Sequence, residues 1–186
     1  TNAGGIKVIR YGMTRNWVLG LTVVTGKGDI LELNRGMIKN ATGYDLRHLF
    51  IGAEGTLGIV TKAQMRLERA PQDLTVMVFG MDEFEHVMNV LSAFQSQLDL
   101  TAFEFFDDVA IEKLMATGHV QEPFEARTKY YALLEFEAPY EPIMDKAMAM
   151  FEQCMENGWI VDGVMSQSLS QAAELWKLRE YISETI

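Results

Sequence analysis

Arg179 and Ser183 stand where an otherwise apolar stripe should continue. With 100° per residue through "SLSQAAELWKLREYISETI", one face of the expected final helix collects Leu169, Ala172, Leu175, Trp176, Ile182 and Ile186, and the middle of that face holds Arg179 and Ser183. A guanidinium buried without an anion is costly. The pattern therefore leaves two readings: Arg179 pairs with a carboxylate of the protein, or it faces a cavity built for the carboxylate or phosphate of a ligand. The planar fork of arginine suits either job. The Ser183 hydroxyl, one turn on, could serve the same anion.

A second group is "FIGAEGTLGIV", residues 50–60, which spaces Gly52, Gly55 and Gly58 at intervals of three before a β-branched run. Glycine serves where the backbone turns through positive φ or where another group must come close. Either these are turn residues before a strand beginning near Leu57, or they clear space for backbone N–H groups, Ile59 and Val60 to lie against a planar ligand. "GAEGTLG" is not the dinucleotide fingerprint, because Ala53 and Glu54 separate its first two glycines. "GLTVVTGKGD" is not a phosphate loop: five residues separate Gly20 from Gly26, and Gly28 follows Lys27. His48, His86 and His119 share no metal-ligand spacing with Cys154 or a carboxylate, so no metal site is assigned within the chain. Asp107 and Asp108 read as a helix cap and a first-turn acid rather than a catalytic dyad. The methionines of "MDKAMAMFEQCM" read as core filler, and Cys154 as a buried thiol suited to a reducing compartment.

The elements that must position these residues fall into two sets. In the first, "NWVLGLTVVTG" and "DILELN" around "GKGD" form a β-hairpin, and "GYDLRHLF" forms a short helical turn with Leu46, Leu49 and Phe50 on one side. "GIVTKAQMRLER" alternates as a half-buried strand. In the second set the strands "DLTVMVFG", "LTAFEFF", "KYYALLEFE" and "WIVDGVM" alternate with helices, the first of which carries Phe84, Val87, Val90, Leu91 and Phe94 along one stripe. That order predicts an α+β fold, a four-stranded sheet covered by helices on one face in a ferredoxin-like arrangement.

The charge distribution separates the same two sets. Residues 1–70 carry ten Lys or Arg against five Asp or Glu, and residues 71–186 carry six against twenty-one, giving +5 and then −15. The step falls at "LERAPQDL" and reads as a domain boundary, with the basic unit suited to an anionic ligand such as a pyrophosphate. The net charge of −10 argues against a nucleic-acid partner. No apolar run approaches a membrane span and no secretory signal is evident, so a cytoplasmic location is expected.

Taken together, "TNAGG", "RYGMTRNWVLGLTVV" and "NATGYDLRHLFIGAEGTLGIVTKA" resemble the second half of the FAD-binding domain of the vanillyl-alcohol-oxidase-like flavoproteins. The nearer likeness is to the branch of glycolate oxidase, D-lactate dehydrogenase and D-2-hydroxyglutarate dehydrogenase. "FEFFDD" and "VDGVMSQSLSQAAELWKLREYISETI" look like the substrate or cap domain of that branch. The resemblance implies that residues 1–70 are a second lobe of a PCMH-type FAD-binding domain, an antiparallel sheet with short helices, and that residues 71–186 are a truncated FAD-linked oxidase C-terminal domain. It also implies that Thr1, Asn2, Ala3, Gly4, Gly5, Glu54, Gly55, Gly58, Ile59 and Val60 line FAD, and that Arg179 and Ser183 hold a substrate carboxylate.

The reaction so implied is oxidation of a D-2-hydroxy acid to the 2-oxo acid, with hydride passing to the flavin and electrons leaving to an acceptor that the sequence does not specify. In the family the pyrophosphate loop lies upstream of "TNAGG". The segment bearing the base and the ligands of a divalent metal lies downstream of "SETI". This chain is therefore expected to be an internal piece, inactive alone and a weak holder of FAD. Oligomeric state is left open, a homodimer among the options. The competing reading is a non-catalytic ferredoxin-like module that binds a small carboxylate through Arg179; an aromatic-alcohol oxidase gives Arg179 no task.

Overall fold

The computed structural model describes residues 1–125 and 127–185, so Ile186 of the expected apolar face lies outside the described residues. The chain divides into two compact units, Thr1–Ala70 and Pro71–Ile186.

The first unit runs through α1 (Val8–Tyr11), a 3-10 turn (Thr14–Asn16), β1 (Val18–Val24), β2 (Ile30–Leu33), α2 (Arg47–Phe50) and β3 (Ile59–Met65). Its three strands form an antiparallel sheet in the order β2-β1-β3. The hairpin expected around "GKGD" is present: Gly28 takes φ +87°, and the Thr25 N–H donates to the Asp29 carbonyl at 2.9 Å. A small core gathers Val18, Leu21, Val23, Leu33 and Ile51, with Leu31 and Phe50 packed against it.

Two expectations fail in this unit. The turn "GYDLRHLF" contributes Phe50 and the following Ile51 to the core, whereas Leu46 and Leu49 are exposed. What fixes α2 is polar. Arg47 donates from Nη1 to the carbonyls of Val18 and Leu19 (2.6 and 2.9 Å) and from Nε to Asp45 (2.8 Å), holding that carboxyl below its usual range. β3, read as half-buried, is exposed at every position. It is an edge strand bonded only to β1, and apart from Gln64, whose side chain lies against Gly36, its alternation marks surfaces without identifying what meets them.

The second unit runs β4 (Leu74–Met81), α3 (Glu85–Gln95), β5 (Leu100–Asp107), α4 (Asp108–Ala116), β6 (Tyr130–Glu137), α5 (Glu141–Glu156), β7 (Asp162–Met165), α6 (Leu169–Glu180) and a 3-10 turn (Tyr181–Glu184). The strand order β5-β6-β4-β7, antiparallel throughout, places β6 between the two strands joined by α3. That is the split β-α-β arrangement of a ferredoxin-like sheet, with α4 and α6 added. Phe79 of β4 packs against Phe94 of α3 and Phe151 of α5, at ring-centroid distances of 5.3 and 6.0 Å. Val87, Val90 and Phe94 are the buried stripe of α3, while Phe84 and Leu91 lie at its margins.

The expectation that helices cover one face holds for α3 and α5 and fails for α6. Trp176 of α6 hydrogen-bonds Glu135, whose side chain leaves β6 on the face opposite Leu134 and Phe136. α6 therefore lies against the other face. Within α5 the buried residues are Ala147 and Cys154; of the methionines read as core filler, Met144 and Met150 are half-buried, while Met148 and Met155 are exposed and fill no core.

Cys154 is fully buried, and burial pushes its thiol up to about 11 from an ordinary 9.0. Between those values the unfolded chain releases a proton that the folded one retains, so the thiol subtracts stability as pH rises through that window. A thiol reagent at pH 8 is expected to leave the native protein unlabelled and to label it after unfolding in urea. Rapid labelling of the native protein would contradict the packing of α5.

Candidate functional site

α6 is capped by Ser168, whose hydroxyl accepts the Gln171 N–H at 3.2 Å, while the Gln171 side chain accepts the Gln167 N–H at 2.6 Å. From that cap, Trp176 and Arg179 fall three residues apart on one face of the helix. Each meets a carboxylate on the sheet. Trp176 Nε1–H donates to Glu135 Oε2 at 2.8 Å, and the Thr101 hydroxyl hydrogen-bonds the other oxygen of Glu135. Arg179 Nε donates to Glu104 Oε2 at 2.6 Å. Glu104 and Glu135 project from the same face of neighbouring strands, since Glu104 pairs in register with Leu133 and Ala102 with Glu135. Two polar pegs thus set the rotation of α6 over the sheet.

Arg179 pairs with a protein carboxylate yet is not enclosed. Its side chain keeps 33% of its exposure and lines an open cleft of about 560 Å³. The cleft is also lined by Ile182 and Ser183, by the rings of Phe84, Phe105, Phe106 and Tyr130, and by Asp107 and Ala110. Phe84 sits edge-on to Phe105 and tilted to Tyr130, both at 5.5 Å, which gives the cleft an aromatic wall. Asp107 is occupied as the cap of α4, accepting the Ala110 N–H at 2.9 Å, as its position at the strand end implied.

Arg179 and Ser183 therefore reach one cleft, but not on one helix. α6 ends at Glu180, and the exposed Ser183 lies on the 3-10 turn, its hydroxyl donating to the Glu180 carbonyl at 3.0 Å. The expected apolar face also shifts. Ala172, Trp176 and Leu178 are buried, Leu175 and Ile182 are half-buried, and Leu169, the first residue of the helix, is exposed. Sequence reasoning missed Glu104 and Glu135. The signal was an acid inside an apolar strand, in "AFEFF" and "ALLEFE", because such a carboxylate must find a donor.

In the first unit, the opening segment and the glycine loop come together. A Cβ on Gly52 would lie 3.4 Å from Asn2 Cβ, and the Asn2 side chain accepts the Arg15 N–H at 2.9 Å. Ala3 accepts from both the N–H and the hydroxyl of Thr14, at 3.0 and 2.7 Å. Thr1, Ala3 and Gly5 are exposed, and Asn2 and Gly4 are half-buried. Glu54, Gly55, Ile59 and Val60 are all exposed, with φ +50° at Glu54 and +83° at Gly55. Gly58 has a reason of its own to lack a side chain: a Cβ there would lie 2.7 Å from the Val24 carbonyl oxygen and 2.8 Å from Val23 Cγ1 on β1.

His48 is 4.0 Å from Asp45, and His119 stands edge-on to Tyr181. Among the described residues no group of three or more His, Cys, Asp or Glu is placed to hold a metal ion, and no helix is long and apolar enough to cross a membrane.

Residues 70–186 match the family described as FAD linked oxidases, C-terminal domain. Over its whole length the chain is 66% identical to a protein of Stutzerimonas stutzeri (strain A1501) named D-2-hydroxyglutarate dehydrogenase, of which it covers 40%. It is 35% identical over 191 residues to the Rattus norvegicus protein named D-2-hydroxyglutarate dehydrogenase, mitochondrial, covering 100% of this chain and 35% of that one. The chain thus spans 40% or less of the length of these curated relatives. Among solved structures, alkyldihydroxyacetonephosphate synthase superposes with a TM-score of 0.65 at 21% identity, over 96% of this chain and 35% of that chain. p-Cresol methylhydroxylase superposes with a TM-score of 0.60 at 14% identity, over 89% and 38%. At those identities the likeness is one of fold. With the split β-α-β sheet, the helix pegged across it and a family match that covers the whole second unit, the chain belongs to the FAD linked oxidases, through their C-terminal domain.

Proposed function

We propose that this chain is part of an FAD-dependent dehydrogenase that oxidises a D-2-hydroxy acid, of the D-2-hydroxyglutarate type, to the 2-oxo acid. The observation that carries this reading is Arg179: one nitrogen holds Glu104, and the guanidinium opens on a cleft walled by aromatic rings. A cation at an open apolar cleft is suited to the carboxylate of a small acid. Ser183 borders the same cleft, where its hydroxyl oxygen keeps a lone pair for a ligand donor such as the 2-hydroxyl. Arg179 orients the acid, and the group that takes the hydroxyl proton lies outside this chain.

In this reading residues 1–70 are the second lobe of the FAD-binding domain and residues 71–186 the substrate or cap domain. The first unit fits a flavin in three respects. It carries a +5 charge suited to a pyrophosphate, it joins the Asn2 segment to a glycine loop of positive φ, and it leaves Ile59 and Val60 open beside that loop. Thr1, Asn2, Ala3, Gly4, Gly5, Glu54 and Gly55 would hold the cofactor through backbone groups, with Ile59 and Val60 as apolar contacts and Gly58 keeping the loop close to β1. FAD would supply the two-electron acceptor for the hydride. A divalent metal would be held by residues outside this chain. The buried thiol of Cys154 supports a reducing, cytoplasmic setting.

The test is a screen of glycolate, D-lactate and D-2-hydroxyglutarate against the full-length protein with an artificial electron acceptor. Dye reduction strongest with D-2-hydroxyglutarate is expected. No turnover of any D-2-hydroxy acid, with retained carboxylate binding, would instead make this a binding module.

A further inference from the structure

We infer that Glu104 is a positioning residue for Arg179: by engaging Nε it fixes the guanidinium so that its terminal nitrogens are presented to the ligand. The inference rests on the reading of Arg179 as the carboxylate anchor and adds to it which edge of the fork does the anchoring.

A guanidinium offers two paired edges to a carboxylate, one between Nε and a terminal nitrogen and one between the two terminal nitrogens. The first edge is engaged at Nε alone, by Glu104 Oε2 at 2.6 Å, and among the described residues Arg179 has no other hydrogen-bond partner. Arg179 lines the cleft, whereas Glu104 is absent from its lining and its side chain is more enclosed, at 18% exposure against 33%. Glu104 thus sits behind the cation, not beside the ligand. Its own position is rigid, on a strand paired in register with β6, and α6 is held one turn earlier by Trp176 on Glu135.

The energetic consequence is pre-organisation. A free arginine side chain loses rotamer entropy when it is immobilised. Glu104 takes that loss before the ligand arrives, so binding gains what a mobile anchor would forfeit. Glu104 also brings the pair close to neutrality, so the half-buried guanidinium is compensated by the protein itself. The remaining acid at the cleft, Asp107, is held by the Ala110 N–H and does not compete for the guanidinium.

Steady-state kinetics of the full-length protein with D-2-hydroxyglutarate test this through four single variants, Glu104→Ala, Glu104→Gln, Arg179→Lys and Arg179→Ala, and the double variant Arg179→Lys/Glu104→Ala. Loss of one charge-assisted hydrogen bond is expected to raise KM about tenfold in Glu104→Ala, with kcat changed less. In Glu104→Gln the amide oxygen still accepts from Nε, so KM stays within about threefold of the parent. Lysine has no fork to orient, and Glu104→Ala is therefore expected to add no further rise in the Arg179→Lys background.

An unchanged KM in Glu104→Ala overturns the inference. So do equal losses in the Ala and Gln variants, or the same rise in the arginine and lysine backgrounds, which would assign Glu104 to folding alone. Arg179→Ala separates the two levels. If that variant loses affinity while Glu104→Ala does not, only the inference falls; if it is unchanged, the anchor reading falls as well.

Discussion

If the proposed function holds, Arg179→Ala in the full-length protein is expected to lower kcat/KM for a D-2-hydroxy acid by about 10²- to 10³-fold. Truncating one member of a hydrogen-bonded charge pair typically costs about 2–5 kcal/mol, and each 1.36 kcal/mol is tenfold. Two losses combine here. The ligand carboxylate loses its cation, which raises KM, and the reacting carbon loses its alignment, which lowers kcat. Glu104 is also left in a partly enclosed position with no guanidinium, which adds a stability cost. Dye-reduction kinetics, with a thermal melt to show that the fold survives, measure the effect. Full activity in a folded Arg179→Ala protein would mean that the Glu104 pair is a structural strut and that the cleft takes no acid.

The second large effect is on stability. Phe79→Ala is expected to cost about 3–5 kcal/mol, the range for aromatic truncation in a closed core. Phe79 has no exposure and packs between Phe94 and Phe151. The strand beside it is shaped around the ring: Gly163, opposite Phe79 in register, would with a Cβ come within 2.9 Å of Phe79 and 2.5 Å of Phe151. A bare backbone cannot move a side chain into the void, so little of the cavity can close. Against a total stability of about 5–15 kcal/mol, such a loss removes a large share. Urea denaturation should show the transition midpoint falling steeply, and a shift worth less than about 1 kcal/mol would contradict this account of the core.

The elements of the second unit were legible because their signals are local. Strand alternation, the i, i+3, i+7 spacing of Val87, Val90 and Phe94, and the Asp107 cap all act within a few residues. The ferredoxin-like sheet followed from element order, because few ways exist to pair four strands joined in that sequence. The face chosen by α6 was not legible. It depends on Trp176 meeting Glu135, 41 residues earlier in the chain, and nothing local to the helix encodes that partner.

The same division runs through the candidate site. From the amino-acid order came an arginine out of place among apolar neighbours and a glycine loop beside an opening "TNAGG"; the residues themselves left a protein partner or a ligand open for each, and the family resemblance is what pointed to a carboxylate and a flavin. Tertiary structure decided what those residues do with their remaining valences. It paired Arg179 with Glu104 across 75 residues, and it turned Ser183 toward the Glu180 carbonyl. It also spent the bare Cα of Gly58 on contact with β1 and left every position of β3 exposed. The physical reason is that residue type fixes what a side chain can bind, whereas the partner it does bind is set by long-range packing.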